Sequence, residues 1–364
     1  MERPITFMTP IGGNDLKIPL YKIYWDEGDV EAVSRVIRRG SWWTKGKEIN
    51  EFEEKTAQTV DREYAVALNS GTSALNASME ALDIGVGDEV IVPSFTFMAT
   101  AMAPRFVGAK PVFADIERKR LGLDPEDVKE KITSKTAAII PIHYGGLPCR
   151  IKELSEIAED HRLSLVEDSA EALGAQTNGE KTGSFGDISI TSYTGAKPIT
   201  MGEGGMAMTD SDNLRDKLEL ICDKYSWRMS TMTAALGISQ LRKLSLVIGM
   251  RRKNAGIYSS TFEEIDGVSP LKEPKGCLNV YQLYTVKVDE GRDEYQKYLA
   301  EKDISTKIYF HPLHKESQSL PVTEELSRQV LTLPVYPSMT EAERSYILRN
   351  LRGGRLNEDI IQHR

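Results

Sequence analysis

From Tyr64 onward, short apolar runs alternate with stretches whose apolar positions recur at helical spacing. Residues 64–68, 89–93, 110–114, 137–142 and 163–167 read as strands, and residues 73–82, 96–106 and 151–161 as helices between them. Residues 188–191 and 205–209 predict two more strands. Helical signals then dominate from 213 to about 262, before a strand over 279–288, a helix over 296–301, an extended run over 306–309 and a helix over 341–351. Strands alternating with helices predict an α/β domain with a mostly parallel sheet, and the later pattern predicts a small α+β domain. The expected division is 1–249 for an N-terminal arm and large domain, with 1–18 as a loose arm, 250–352 for the small domain, and 353–364 for a flexible tail.

In such a sheet, ligands sit beyond the carboxyl ends of the strands. Ser70-Gly71-Thr72, Pro93-Ser94-Phe95, His143 and Asp168 each follow an apolar run, so they can share one rim. Asn69-Ser70-Gly71-Thr72-Ser73 is a small-residue turn opening a helix, where backbone N–H groups and hydroxyls favour a phosphate. Leu165-Val166-Glu167-Asp168 ends a strand on a carboxylate. Ser192-Tyr193-Thr194-Gly195-Ala196-Lys197, followed by Gly202-Glu203-Gly204-Gly205, places a lysine in a glycine-rich loop. Taken singly, each is common: the lysine as a solvated cation, the aspartate as a turn former. Together they are what pyridoxal 5'-phosphate (PLP) needs: an amine for a Schiff base, an acid for the pyridine nitrogen and a cradle for the phosphate.

Composition narrows the alternatives. With 364 residues and 40% hydrophobic content the chain can bury a large core. Its net charge of −8, with both signs well mixed, gives no basic footprint for a nucleic acid. There is no apolar run of about 18 residues for a membrane span, and Met1-Glu2-Arg3-Pro4 lacks the apolar core of a signal peptide. Cys149, Cys222 and Cys277 are scattered and odd in number, which predicts reduced thiols in a cytoplasmic protein. No Cys/His spacing resembles a metal site, so no metal is expected.

Across roughly residues 17–352, the chain resembles the DegT/StrS-type PLP-dependent sugar aminotransferases, a branch of fold-type I, the aspartate aminotransferase-like enzymes. The resemblance runs through Ile18-Pro19-Leu20, residues 41–46, Gly71-Thr72-Ser73-Ala74-Leu75, Val92-Pro93-Ser94-Phe95-Thr96-Phe97, Ile139-Ile140-Pro141-Ile142-His143, residues 167–175 and residues 192–205. It implies a three-layer α/β/α large domain with a small α+β C-terminal domain. Lys197 would be the catalytic lysine and Asp168 the partner of the pyridine nitrogen. Phe95 would stack on the ring, and Gly71, Thr72, Ser73 and Ser192 would hold the phosphate. Glu171 would stand near cofactor and sugar, where many members carry Gln or His. Members often carry Asn in the segment that here reads Tyr225-Ser226-Trp227-Arg228-Met229, so Ser226 would reach the partner subunit's phosphate. Trp43, Thr44, Lys45, Tyr309, His311 and His314 resemble positions near the substrate, with Tyr309 and His311 on one face of an extended run. The stretch between His314 and Leu331 is shorter than the family's.

The implied activity is amino transfer from glutamate or glutamine to a nucleotide-linked keto sugar in a homodimer with shared sites. The Glu171 stretch points to C4 of a hexose. A PLP-binding regulatory sensor and a PLP-dependent sugar dehydratase are the alternative readings, and Lys197 argues against the dehydratase, for which a histidine would be expected.

Overall fold

A computed structural model describes residues 16–263, 265–314 and 318–356. Two helices come first, α1 (Glu27–Arg39) and α2 (Lys47–Thr59). The backbone N–H of Asp26 donates to Asp29 at the start of α1, and Gly40, at φ 67°, ends it in the left-handed conformation that suits glycine. The sequence pattern did not predict either helix. α2 has few apolar positions, and both helices pack mainly on another helix rather than on the sheet.

The α/β alternation then follows. It comprises β1 (Tyr64–Leu68), α3 (Gly71–Ala81), β2 (Glu89–Pro93), α4 (Met98–Phe106), β3 (Lys110–Ala114), α5 (Pro125–Lys131), β4 (Thr136–Ile139), α6 (Ile151–His161) and β5 (Ser164–Asp168). A ribbon of β6 (Gln176–Thr177) and β7 (Glu180–Lys181) leads to β8 (Ile188–Ser192) and β9 (Gly205–Thr209). The seven-stranded sheet runs β1-β9-β8-β5-β4-β2-β3. β9 is antiparallel to both β1 and β8, and the remaining pairings are parallel.

Side-chain alternation along the strands explains the layering. Val66, Leu68, Val90, Val92, Val166 and Ile190 face one core, together with Leu75 of α3 and Ala101 of α4. Ile91, Ile139 and Leu165 face the other side, under α5 and α6. Ala67, Met206 and Met208 meet Phe52 of α2 on that side. The sheet is therefore buried on both faces, as an all but parallel sheet must be.

Three helices follow, α7 (Asp212–Lys224), α8 (Thr231–Leu241) and α9 (Leu244–Phe262). β10 (Val268–Pro270), β11 (Cys277–Leu278), β12 (Tyr284–Val288), α10 (Arg292–Glu301), α11 (Pro321–Gln329), β13 (Val330–Leu333) and α12 (Glu341–Leu356) complete the described chain. A second sheet, β10-β12-β13, is antiparallel. β11 pairs with β6 and so ties this part of the chain to the large sheet's side. The run expected over 306–309 joins a sheet only through a bridge between Lys307 and Thr332.

α9 crosses position 250 without a break. Leu244 and Ile248 pack beneath the large sheet, whereas Ala255, Tyr258 and Phe262 pack with the second sheet. We propose that the division between the two units falls inside this helix. At the N-terminal end, Ile18 is fully buried in the second sheet's core and bridges Ile304, so this end of the expected arm belongs with the small unit. Residues 1–15 lie outside the described residues. α12 runs to Leu356, past the expected start of the tail at 353, and residues 357–364 lie outside the described residues. Among the described residues no helix is long and apolar enough to cross a membrane.

Asp115, buried beyond the end of β3, links the two units. Its Oδ1 accepts from the Thr323 N–H at 2.8 Å and the Thr323 hydroxyl at 2.7 Å, and its Oδ2 from the Val322 N–H at 2.9 Å. These are first-turn donors of α11, which would otherwise lack partners. Asp115→Ala is expected to cost about 1–3 kcal/mol by stranding them, read as a lower urea midpoint at unchanged slope. An unchanged midpoint would show that the cap contributes nothing.

Candidate active site

The carboxyl ends of β1, β2, β5 and β8 open onto a cavity of about 370 Å³. Asp168 forms its floor. Its backbone N–H donates to the Pro141 carbonyl at 3.0 Å, which holds the end of β5 beside the chain after β4. The carboxylate accepts from the Thr100 hydroxyl at 2.8 Å and the Ala170 N–H at 3.1 Å, and Thr96 donates in turn to Thr100 at 3.0 Å. Burial pushes the Asp168 carboxyl above its ordinary range, while Thr100, Ala170 and the charge of Lys197 pull the other way. A buried acid in that condition is matched by a cation.

One corner of the cavity is built from Ser70, Gly71, Thr72 and Ser192. Ser70 caps α3, its hydroxyl accepting from the Ser73 N–H at 3.1 Å. Backbones approach closely here. A Cβ on Gly205 would lie 2.2 Å from the Ser70 carbonyl oxygen, and one on Gly71 would lie 2.8 Å from the Ser192 Cβ. Only glycine at these points leaves the α3 N-terminus open as an anion cradle. Ser73 does not face it: the hydroxyl donates to Asn69 at 2.7 Å and the residue is buried in the cap. The expected phosphate role of Ser73 is therefore corrected to a capping one.

Lys197 lines the cavity on the turn after β8, with its N–H bonded to the Thr194 carbonyl at 3.1 Å. Its Nζ lies 3.4 Å from Glu171 Oε1, and Glu171 Oε2 accepts from the Gly145 N–H at 2.8 Å. His143 closes part of the wall. Its Nδ1 accepts from the Cys149 N–H at 3.0 Å, so the ring proton sits on Nε2 and is donated to Glu167 at 2.7 Å.

Phe95 does not reach the cavity. It is fully buried, its ring 5.4 Å from Tyr144 and 6.2 Å from Phe310. Phe97, 62% exposed, lines the cavity instead. The expected stacking role of Phe95 is therefore corrected: its ring is taken by the aromatic cluster. Of the expected substrate residues, Tyr309 lines the cavity, and Lys307 lies with it. His311 is exposed and lies outside the lining. His314 is also outside it. Ser94 Oγ accepts from the Leu313 and His314 N–H groups, so its own proton goes to His314 Nδ1 at 2.6 Å. His314 thus anchors its segment to the end of β2, and its expected substrate role is corrected to a structural one. Trp43, Thr44 and Lys45 are exposed and outside this chain's cavity, beside the 226–231 segment, with the Trp43 carbonyl accepting from the Thr231 N–H at 2.9 Å. Ser226 is likewise exposed, at φ 56°, a backbone conformation in which Asn is enriched.

The family model for the DegT/DnrJ/EryC1/StrS aminotransferases matches residues 24–352. The chain belongs to this family. Among its relatives, the GDP-perosamine synthase of Vibrio cholerae is 35% identical, with 89% of this chain and 95% of that protein covered. DesI, solved in the presence of its TDP-sugar product, superposes with a TM-score of 0.86 at 29% identity, over 95% of both chains. The putative sugar aminotransferase Spr1654 of Streptococcus pneumoniae, in its PLP form, superposes with a TM-score of 0.89 at 25% identity, covering 95% of this chain and all of that one. The fold is that of the fold-type I PLP enzymes, and the protein is a PLP-dependent aminotransferase. The cavity fits that cofactor on its own evidence: a buried acid raised by burial, a glycine-opened helix N-terminus and a lysine stand around one space.

Several lining residues were not singled out from the sequence. Phe97 and Thr100 carry a signal in retrospect, as the second phenylalanine after β2 and the i+4 partner of Thr96. Lys307 lies two positions before Tyr309. Gln282 gave no local signal.

Because the Asp168 carboxyl is raised above its unfolded value of about 3.9, the folded apoprotein holds that proton more tightly than the unfolded chain. Its stability therefore falls as pH rises through that window. Apo Asp168→Asn is expected to melt above wild-type apoprotein at pH 7, with the gap closing as the pH falls below the unfolded value. If Asp168 is the partner of the pyridine nitrogen, PLP should raise the wild-type melting temperature more than the variant's. Equal apo melting and equal PLP shifts would contradict the pairing.

Proposed function

We propose that the protein moves an amino group from glutamate or glutamine to a keto carbon of a nucleotide-linked hexose, with C4 as the acceptor. The observation that carries this reading is the convergence of Lys197, Asp168 and the Ser70–Thr72 and Ser192 cradle on one cavity. When bound, PLP supplies an electron sink for charge developing on the substrate carbon that bears nitrogen. Asp168 would keep the pyridine nitrogen protonated, and the α3 N-terminus with Thr72 and Ser192 would hold the phosphate. Phe97, which lines the cavity, would be placed to cover the cofactor's ring. Lys197 would hold the cofactor through its amine and would move the proton at the substrate carbon in each half of the reaction. Glu171 orients the lysine amine through its 3.4 Å contact.

The sugar assignment is supported by the GDP-perosamine synthase and the TDP-sugar-bound DesI among the relatives given above, and Glu203, Lys307 and Tyr309 add polar groups to the cavity lining. The Glu171 stretch supports C4. A cytoplasmic setting accords with three free cysteines. We place a second copy of the chain over the face carrying Phe97, Met98, Met102, Phe106 and Tyr225, all exposed here. In that arrangement Trp43, Thr44, Lys45 and Ser226 serve the partner's cavity, which accounts for their standing outside this one. Light scattering is expected to give a dimer, and a fully active monomer would overturn the shared-site arrangement.

Borohydride reduction of the holoenzyme should fix the cofactor on Lys197, identified by peptide mass. Lys197→Ala should abolish turnover while still binding PLP. A keto-sugar nucleotide should return the aminated cofactor to its starting absorbance far faster than any simple 2-keto acid other than the donor's own product. Label on another lysine would refute the catalytic assignment, and equal rates with 2-keto acids would refute the sugar.

A further inference from the structure

Gln282 lies in the segment leading into β12, remote in sequence from the lysine turn, yet it lines the same cavity. It is 6% exposed. Its Nε2 donates to the Ala196 carbonyl at 3.1 Å, one residue before Lys197. Its Oε1 is buried and meets no donor among the described residues. A buried amide with one unanswered atom is a cost that an apolar side chain of similar size would avoid, so the bond it does make stands out.

The backbone around Gln282 is held just as closely. Arg251, buried in α9, donates from Nη1 to the carbonyls of Tyr281 at 3.2 Å, Gln282 at 3.3 Å and Val335 at 3.4 Å. The Leu283 N–H donates to the Gly145 carbonyl at 3.1 Å, and the Val280 N–H to the Gly146 carbonyl at 3.2 Å. Gly145 is also the residue whose N–H holds Glu171. The contacts close into a ring: Lys197 to Glu171, Glu171 to Gly145, Gly145 to Leu283, and Gln282 back to Ala196.

Taking Lys197 as the cofactor lysine, as proposed above, we propose that Gln282 is a positioning residue for it. The 280–283 segment holds both the turn that carries the amine and Gly145, whose N–H bonds the carboxylate facing that amine. The distance between amine and carboxylate is thereby set from the small unit, through one side-chain amide and one backbone bond. Gln282 touches no reacting atom in this role and acts through the Ala196 carbonyl.

Gln282→Met keeps the volume and removes the bond. The first measurement is the rate at which PLP added to apoprotein attaches to Lys197, followed by absorbance and by borohydride trapping. It should fall at least about tenfold, a loss typical of misplacing a reacting group, with an unchanged melting temperature. The second is equilibrium PLP affinity in a Lys197→Ala background. There Gln282→Met should change affinity less than twofold, because the lysine through which the amide acts has gone. An unchanged attachment rate would overturn the proposal. So would an equal loss of PLP affinity with and without Lys197, which would mean that Gln282 shapes the cavity rather than the lysine turn. Failure of the wild-type protein to attach PLP at Lys197 would remove the catalytic assignment itself, before any Gln282 variant is made.

Discussion

A carboxylate buried at the end of a central strand is the constraint around which this molecule is arranged. Asp168 lies at the end of β5, in the middle of the seven-stranded sheet, and burial pushes its carboxyl above the ordinary range. Thr100 and Ala170 offset part of that cost as donors, and on the proposed reading the protonated ring of a bound cofactor would offset more. The parallel strands β2, β4, β5 and β8 end at one rim, so the residues that follow them can share a single space. β1 and β8 flank the antiparallel β9, which brings the N-terminus of α3 against Ser192 and completes the phosphate corner.

The second unit contributes more than a cover. Asp115 caps α11 across the join, Ser94 fastens His314, and the 280–283 segment grips Gly145 and Ala196. Each contact runs from a strand end or rim loop of the large sheet to the C-terminal part of the chain. The wall carrying Lys307 and Tyr309 is therefore fixed relative to Asp168 by several independent hydrogen bonds. Packing alone would leave more freedom to slide, because apolar contact is not directional. Amino transfer needs that fixity: one lysine must serve two different substrates from one position.

What could be read from the sequence followed from how local each signal was. Asp168, Lys197 and the Gly71–Thr72 turn stand in short patterns tied to strand ends, and the structure brings them together. Phe95 and Phe97 could not be told apart in sequence, since Tyr144 and Phe310, which take the first ring, come from distant segments. His311 and His314 follow the strand-like run that carries Tyr309, but His314 is drawn inward by Ser94, more than two hundred residues earlier. α2 carries few apolar positions from which a helical period could be read. Gln282 and Lys307 are ordinary polar residues whose meaning lies wholly in tertiary contact. The change of pattern near position 250 marks no break in the chain, because the helix there serves both cores.

The central claim, that this rim transfers nitrogen to a sugar, is tested most directly by following the nitrogen itself. Holoenzyme would be given ¹⁵N-labelled glutamate and a nucleotide-linked 4-keto hexose, and the nucleotide sugar examined by NMR. Label in an amine at C4 of the hexose, formed in the wild type and absent with Lys197→Ala, is the expected result. Label that passes only among 2-keto acids, leaving the sugar unaminated, would contradict it.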